Sequence, residues 1–204
     1  MRLIWHGHSC FSVVTDAGTA VFDPYADGKV PGLAPLSLTA DAVYCSHGHD
    51  DHGAADKVAL TGREPGFSVE TVPTFHDDKH GLLRGRNTIH ILSAEGLRVA
   101  HLGDLGHALK GAALEKVRGV DALLLPVGGR YTIDAKTARA VADAVGARVV
   151  IPMHYRLGDM GFPVLEELSD YTSLCGDVIL YETNELELTA ETVAQTAVLR
   201  YENG

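Results

Sequence analysis

Between positions 46 and 52 the chain reads Ser46-His47-Gly48-His49-Asp50-Asp51-His52, three imidazoles with carboxylates between them, directly after the apolar stretch Val43 to Cys45. Imidazole nitrogen and carboxylate oxygen are the donors that borderline divalent metals take. In extended backbone, residues two apart face the same way, so His47 and His49 present both rings to one side. Asp51 and His52 then turn away to serve a second position. A solvated polar loop has no need of three histidines this close together, so the segment predicts a metal site at a strand's carboxyl end. Cys10, Cys45 and Cys175 are odd in number, far apart and in no C-x-x-C pair. That pattern argues against a disulfide scaffold or a zinc ribbon and predicts reduced thiols.

The elements that must hold such a loop are legible from periodicity and turn residues. Arg2 to His6, Phe11 to Thr15 and Ala20 to Phe22 read as short strands, the last two joined through Asp16-Ala17-Gly18-Thr19, which gives an antiparallel opening. Asp27 to Thr39 carries Gly28, Pro31, Gly32 and Pro35 and reads as a surface loop before a buried strand, Ala42 to Cys45. Strands follow at Phe67 to Val72, Thr88 to Leu92 and Leu97 to His101, with Glu95-Gly96 turning the last pair into a hairpin. Ala122 to Val127 is a continuous apolar run. Asp134 to Val145 places Ala138, Val141, Ala142 and Val145 on one helical face, with Asp134 able to cap it and Gly146 to end it. Val149 to Met153 completes a strand–helix–strand unit expected to pair in parallel. Pro163 to Thr172 suits a further helix, and Val178 to Tyr181, Glu185 to Leu188 and Ala197 to Tyr201 suit late strands. The expectation is an α/β fold with polar residues concentrated where strands end.

Length and charge narrow the function classes. The 204 residues fit one domain, spanning 1–204, with no internal period or linker. Seventeen Lys and Arg against 27 Asp and Glu leave a net charge of −10, a field that repels phosphate backbones and anionic lipid, so neither nucleic acid nor a membrane is an expected partner. The longest apolar runs fall far short of the ~20 residues a bilayer crossing needs. Met1 to His6 leads into a Gly/His/Ser/Cys turn with no apolar h-region, and a cytoplasmic location is expected. Self-association through an edge strand or an exposed apolar loop stays open.

The string His47-Gly48-His49-Asp50-Asp51-His52 is the H-x-H-x-D-H pattern, and in it the chain resembles the metallo-β-lactamase-fold hydrolases. The resemblance runs from about Met1 to Tyr155. Gly7-His8-Ser9, Gly128-Gly129 and Tyr131-Thr132-Ile133-Asp134 look like the small cytoplasmic branch related to the ascorbate-6-phosphate lactonase. It implies a four-layer αββα sandwich, two mixed β-sheets face to face with helices outside. It also implies the remaining ligands: His76 in Pro73-Thr74-Phe75-His76, Asp104 in His101-Leu102-Gly103-Asp104, and His154 in Ile151-Pro152-Met153-His154. Asp23, ending an early strand, matches the family's first motif and is implied to orient a ligand histidine.

The family pattern implies that His47, His49 and His76 hold one divalent ion, that Asp51, His52 and His154 hold another, and that Asp104 bridges them. Zinc is the default, with Mn²⁺ or Fe²⁺ accepted by the same donors. Metal coordination lowers the pKa of water from 15.7 toward ~7, so a bridging hydroxide becomes the nucleophile and no Ser or Cys is required. The family's iron redox members carry Glu where this chain has His49, its β-lactamases are exported, and its tRNA-processing members need a basic surface. Hydrolysis of a small ester, lactone or phosphodiester is what remains. A metal-binding sensor, or a protein stabilised by a single zinc, are the alternatives. Asp51, Asp104 and His107 are the catalytic candidates, His107 as proton donor with Tyr155 beside it. Lys79, His80, Arg84 and Arg86, clustered after His76 in an acidic protein, point to an anionic substrate group, and Gly128-Gly129-Arg130-Tyr131 offers backbone donors or Arg130. His8 is favoured near the site, His101 supports the Asp104 loop, and His90, between Ile89 and Ile91, is expected to face solvent.

Overall fold

The computed structural model describes residues 1–202. In chain order the strands and helices are β1 (Arg2–Trp5), β2 (Phe11–Thr15), β3 (Gly18–Phe22), β4 (Leu38–Ala40), β5 (Ala42–Tyr44), β6 (Val58–Leu60), β7 (Ser68–Phe75), β8 (Arg86–Ala94), β9 (Leu97–His101), α1 (Gly111–Val117), β10 (Ala122–Pro126), α2 (Ala135–Val145), β11 (Val149–Met153), α3 (Leu168–Thr172), β12 (Val178–Leu180), β13 (Glu185–Glu187) and β14 (Gln195–Val198). They form a five-stranded sheet, ordered β13-β1-β2-β3-β5, a seven-stranded sheet, ordered β12-β14-β11-β10-β9-β8-β7, and the pair β4-β6. Both large sheets are mixed. β1, β2 and β3 are antiparallel neighbours while β3 and β5 run in parallel, and β9 through β11 are parallel where β7, β8 and β9 are not.

Alternation decides which faces meet. Leu3 and Trp5 of β1, Phe11 and Val13 of β2, and Ala20 and Phe22 of β3 point into one core shared with Leu92 of β8 and with Val99 of β9. β10 and β11 are buried along their whole length, because α2 covers the face turned away from that core. The helix is formed as its sequence dictates: Asp134 Oδ1 accepts from Thr137 N at 2.8 Å, and Gly146 ends it in the left-handed region at φ 67°. The smaller sheet is covered differently. Over its outer face Val21 packs with Cys10, Tyr25, Val30, Ala40 and Val58, a second cluster carried by the Gly- and Pro-rich segment and by β4 and β6 rather than by helix. Four glycines and prolines between 28 and 35 deny that segment a helix, so the layer is built from loop and short strand.

Two expectations need correction. The helix foreseen over Pro163 to Thr172 is confined to Leu168–Thr172, where Glu167 and Asp170 form a reciprocal cap; Pro163 to Glu166 stay irregular. His90 does not face solvent. β8 lies inside the larger sheet, and the His90 ring is buried at 5.6 Å from Tyr44 and 5.9 Å from Phe22. Alternation with Ile89 and Ile91 marks opposite faces, but here both faces are covered.

The topology brings one kind of strand end together. β7 and β9 both run antiparallel to β8, and β9, β10 and β11 are parallel, so the carboxyl ends of these strands share one edge. His76 directly follows β7, Asp104 follows β9, and His154 directly follows β11. From the facing sheet, His8 follows β1, Asp23 directly follows β3, and the histidine segment follows β5.

Candidate metal centre

Residues far apart in the chain converge in this crevice on the carboxylate of Asp104, which is 2% exposed. Its Oδ2 lies 3.0 Å from His76 Nε2, 3.3 Å from His154 Nε2 and 3.8 Å from His47 Nε2, while its Oδ1 lies 3.1 Å from His52 Nε2. His47 Nε2 is 3.0 Å from His49 Nδ1, and Asp51 Oδ2 is 3.7 Å from His52 Nε2. Two ligand groups emerge on either side of Asp104. His47, His49 and His76 bring one ring nitrogen each within 4.8 Å of one another; Asp51, His52 and His154 do the same with His8 beside them.

A network below the crevice fixes how these rings point. Asp23 Oδ1 accepts from the Ser46 backbone N–H at 2.6 Å, and its Oδ2 accepts from Ser46 Oγ at 2.6 Å and from His52 Nδ1 at 2.7 Å. Ser46 Oγ in turn accepts from His47 Nδ1 at 2.9 Å. Protons on both Nδ1 atoms aim the Nε2 atoms of His47 and His52 toward Asp104; on His47 that atom is a free lone pair, and on His52 it becomes one where a cation takes the place of its proton, which is the tautomer a metal ligand needs. His101 ties in from behind: its Nε2 donates to Ser9 O at 2.8 Å and its Nδ1 accepts from Gly103 N at 3.1 Å, holding the loop that carries Asp104.

Electrostatics match this arrangement. Burial, followed by the neighbouring His52, pulls the His47 imidazole down to about 4, which keeps it neutral. Burial opposes the charged form of Asp104, yet His154 and His52 hold its carboxyl well below the ordinary range. Burial opposes Asp23 as well, and His101 and His52 bring it down to about 2. Burial alone would lower His52, but Asp104 and Asp23 on either side raise it well above its usual value. The pair of carboxylates thus demands positive charge in this space.

The donor set fits divalent cations. His52 Nε2, Asp104 Oδ1 and both ring nitrogens of His154 are buried with no hydrogen-bond partner. They crowd to within a few ångströms without the alignment a hydrogen bond requires. Left bare, each such atom costs about 1–3 kcal/mol, whereas atoms that share a cation bear no such penalty. The backbone is strained at the same place: Asp23 at φ 46° and His154 at φ 55° are non-glycine residues in the left-handed region. Close approach of chains also requires glycine here, since a Cβ on Gly106 would collide with the His76 backbone and one on Gly128 with the His154 carbonyl oxygen.

A cavity of about 320 Å³ opens above the donors, lined by His49, Asp51, His76 and Asp104 on one side and by Arg84, Tyr131 and Phe162 on the other. The Arg84 guanidinium stands 5.6 Å from the Tyr131 ring centroid. Of the basic loop only Arg84 lines the cavity, and from Gly128-Gly129-Arg130-Tyr131 it is Tyr131 rather than the exposed Arg130. Phe162, which the sequence did not single out, arrives on an irregular loop that carries no periodic signal. His107 is not brought into the group. Its Nδ1 donates to Ala108 O at 3.0 Å and its Nε2 accepts from Phe75 N at 3.3 Å, which commits both ring nitrogens to backbone. Tyr155 is buried against Trp5, ring centroids 5.7 Å apart.

The loop bearing Arg84 is held by one side chain. Asp77 accepts from the backbone N–H groups of Lys79 and Gly81 through Oδ1, at 2.8 and 2.9 Å, and of Leu83 and Arg84 through Oδ2, at 3.0 and 2.8 Å. Burial works against its charge, but these four donors bring the carboxyl down from 3.8 to about 2. A carboxyl lowered by folding stabilises the structure above its unfolded value and loses that contribution as pH falls through the folded one. Amide protection at these four positions, taken relative to intrinsic exchange at each pH, should therefore be high above about pH 4 and fall between about pH 4 and 2. In Asp77→Ala protection should be low at every pH, and protection that ignores both the acid and the substitution would contradict this role.

Comparison with known proteins places these observations in a family context. A family model described as a beta-lactamase superfamily domain matches residues 2–154. A UPF0173 metal-dependent hydrolase of Thermoplasma acidophilum is 28% identical over 214 residues, covering 89% of this chain and 93% of that protein. One from Methanoregula boonei is 30% identical over 188 residues, covering 76% and 82%. Among solved structures, a Thermotoga maritima protein assigned to the Zn-dependent hydrolases of the metallo-β-lactamase superfamily superposes with a TM-score of 0.77 at 34% identity, covering 97% of each chain.

Proposed function

The chain belongs to the metallo-β-lactamase superfamily and is a metal-dependent hydrolase, and from that premise we propose that it works with paired divalent cations on a small anionic ester, lactone or phosphodiester. The observation that carries this reading is the position of Asp104 between two ligand groups, one carboxylate oxygen near His76, His154 and His47 and the other near His52. A single ion would leave one of those groups without a role.

Cations held there supply an activated water at neutral pH and offset the negative charge of the transition state, so the chain needs no nucleophile of its own. Its side chains position and select. Asp23 and Ser46 keep His47 and His52 turned toward Asp104, and His101 keeps the Asp104 loop in place. Asp51, partly open to the cavity, and Asp104 are the acidic groups that face substrate. The cavity is at the low end of the ~300–1,000 Å³ usual for small-molecule sites, which supports a compact substrate. Arg84, braced on Tyr131 beside the donors, supports an anionic one. Zinc is the cation this reading starts from, Mn²⁺ and Fe²⁺ being compatible with the same oxygen and nitrogen donors.

A chromogenic panel of lactone, phosphodiester, thioester and β-lactam substrates, run on metal-loaded and chelator-treated protein, tests the proposal. Metal-dependent turnover of an anionic member is expected. Bound metal with no turnover across anionic and neutral members would favour a sensor instead. On the substrate so found, Arg84→Ala should raise KM about 10–100-fold with kcat little changed, the value of one charge-assisted hydrogen bond at about 1.5–3 kcal/mol. An unchanged KM would remove Arg84 from substrate recognition.

A further inference from the structure

His8 is the one imidazole of the crevice that lies outside the H-x-H-x-D-H pattern and the later ligand positions, and its surroundings are those of a ligand. It is 3% exposed, and neither ring nitrogen has a hydrogen-bond partner. Its Nε2 lies 3.4 Å from Asp51 Oδ2, and its ring centroid is 4.1 Å from that of His154 and 5.2 Å from that of His52. One donor atom from each of His8, Asp51, His52 and His154 falls within 4.8 Å of the others. The opposite group, His47, His49 and His76, has no such additional neighbour among the described residues.

The backbone is arranged to put the ring there. His8 sits in the left-handed region at φ 51°, after Gly7 at φ 100°, a turn that a non-glycine residue adopts only against its preference. Its carbonyl oxygen is held from two sides, accepting from Trp5 Nε1 at 3.0 Å and from the His154 backbone N–H at 3.2 Å. The second bond locks the two histidines to each other directly. An imidazole with both nitrogens bare, kept out of water at the cost of backbone strain, is poorly explained as packing. Phe162 closes its remaining side, with ring centroids 5.6 Å apart.

We propose that His8 is a further donor to the cation held by Asp51, His52 and His154, so that the two ion sites are unequal and this one binds more tightly. The assignment rests on the two-ion reading above, and it adds a nitrogen donor to one group only. The tight ion then fills first as metal is added, and the group at His47, His49 and His76 fills second.

The test is a titration of chelator-stripped protein with Co²⁺, followed by visible absorption, and with Zn²⁺, followed by calorimetry. His8→Gly is the variant of choice because glycine accepts the left-handed backbone and relieves its strain. Two steps are expected for the unaltered protein. In His8→Gly the tighter step should weaken about 10–100-fold with a changed cobalt spectrum, the weaker step should stay put, and added imidazole should restore the lost affinity. Should His8→Gly fold poorly by circular dichroism, His8→Asn, which also tolerates this backbone, should show the same loss. Two ions in both proteins with unchanged affinities and spectra overturn the role of His8 and leave the two-ion reading intact. A single ion in the unaltered protein overturns that reading, and this proposal with it, before any variant is made.

Discussion

Asp104→Ala is expected to lower turnover roughly 10³-fold or more and to release at least one ion, while leaving the sheets folded. The magnitude follows from what the carboxylate connects. Its two oxygens lie between 3.0 and 3.8 Å from ring nitrogens of His47, His52, His76 and His154, drawn from both ligand groups. Removing it takes away the one negative charge that both groups share, and metal-ion catalysis contributes several kcal/mol, each 1.36 kcal/mol being worth tenfold in rate. Asp104→Asn keeps the volume but not the charge, and should retain more fold stability than activity. Metal analysis alongside turnover is the check, with circular dichroism to exclude misfolding. Full activity with metal retained would break the bridging role.

Asp23→Ala is the second large effect, and it reaches metal indirectly. The carboxylate is fully buried and accepts three hydrogen bonds, from Ser46 N, Ser46 Oγ and His52 Nδ1. Truncation leaves these donors unpaired in the interior at about 1–3 kcal/mol each, and alanine tolerates the φ of 46° less well than aspartate. A loss of about 3 kcal/mol or more would lower Tm by roughly 6–12 °C in a chain of this size. With His52 no longer held in its tautomer, metal affinity should fall about 10–100-fold. Asp23→Asn, which keeps an acceptor oxygen, should recover part of the stability and less of the affinity. Calorimetry and metal titration check the two arms separately, and unchanged affinity would reduce Asp23 to a structural role.

How much of this was legible in the sequence depends on range. The H-x-H-x-D-H segment is local, and donor types within six consecutive positions declare themselves without a fold. Strand ends at Phe22, His101 and Met153 were also readable, from apolar runs stopped by polar residues, whereas the strand before His76, read as ending at Val72, runs on to Phe75. What joins His76, Asp104 and His154 is sheet order, which periodicity does not contain, and it was the family resemblance that pointed to them. His8 illustrates the same limit: a Gly-His-Ser turn reads as a loop, the resemblance alone favoured His8 near the site, and the pairing of its carbonyl with the His154 backbone is what holds the ring in the crevice. His90 fails for the reverse reason, because alternation reports two faces and says nothing of a face covered by Tyr44 and Phe22. Composition alone could not separate Arg84 from Lys79 and Arg86; the four N–H groups gathered by Asp77 set the loop so that Arg84 reaches the cavity.

The central claim is that donors from both sheets hold paired ions around Asp104. Anomalous diffraction from crystals loaded with a divalent metal tests it most directly. Two peaks are predicted, one among His47, His49 and His76 and the other among Asp51, His52 and His154, with Asp104 between them. A single peak, or metal bound only elsewhere after loading, would contradict it.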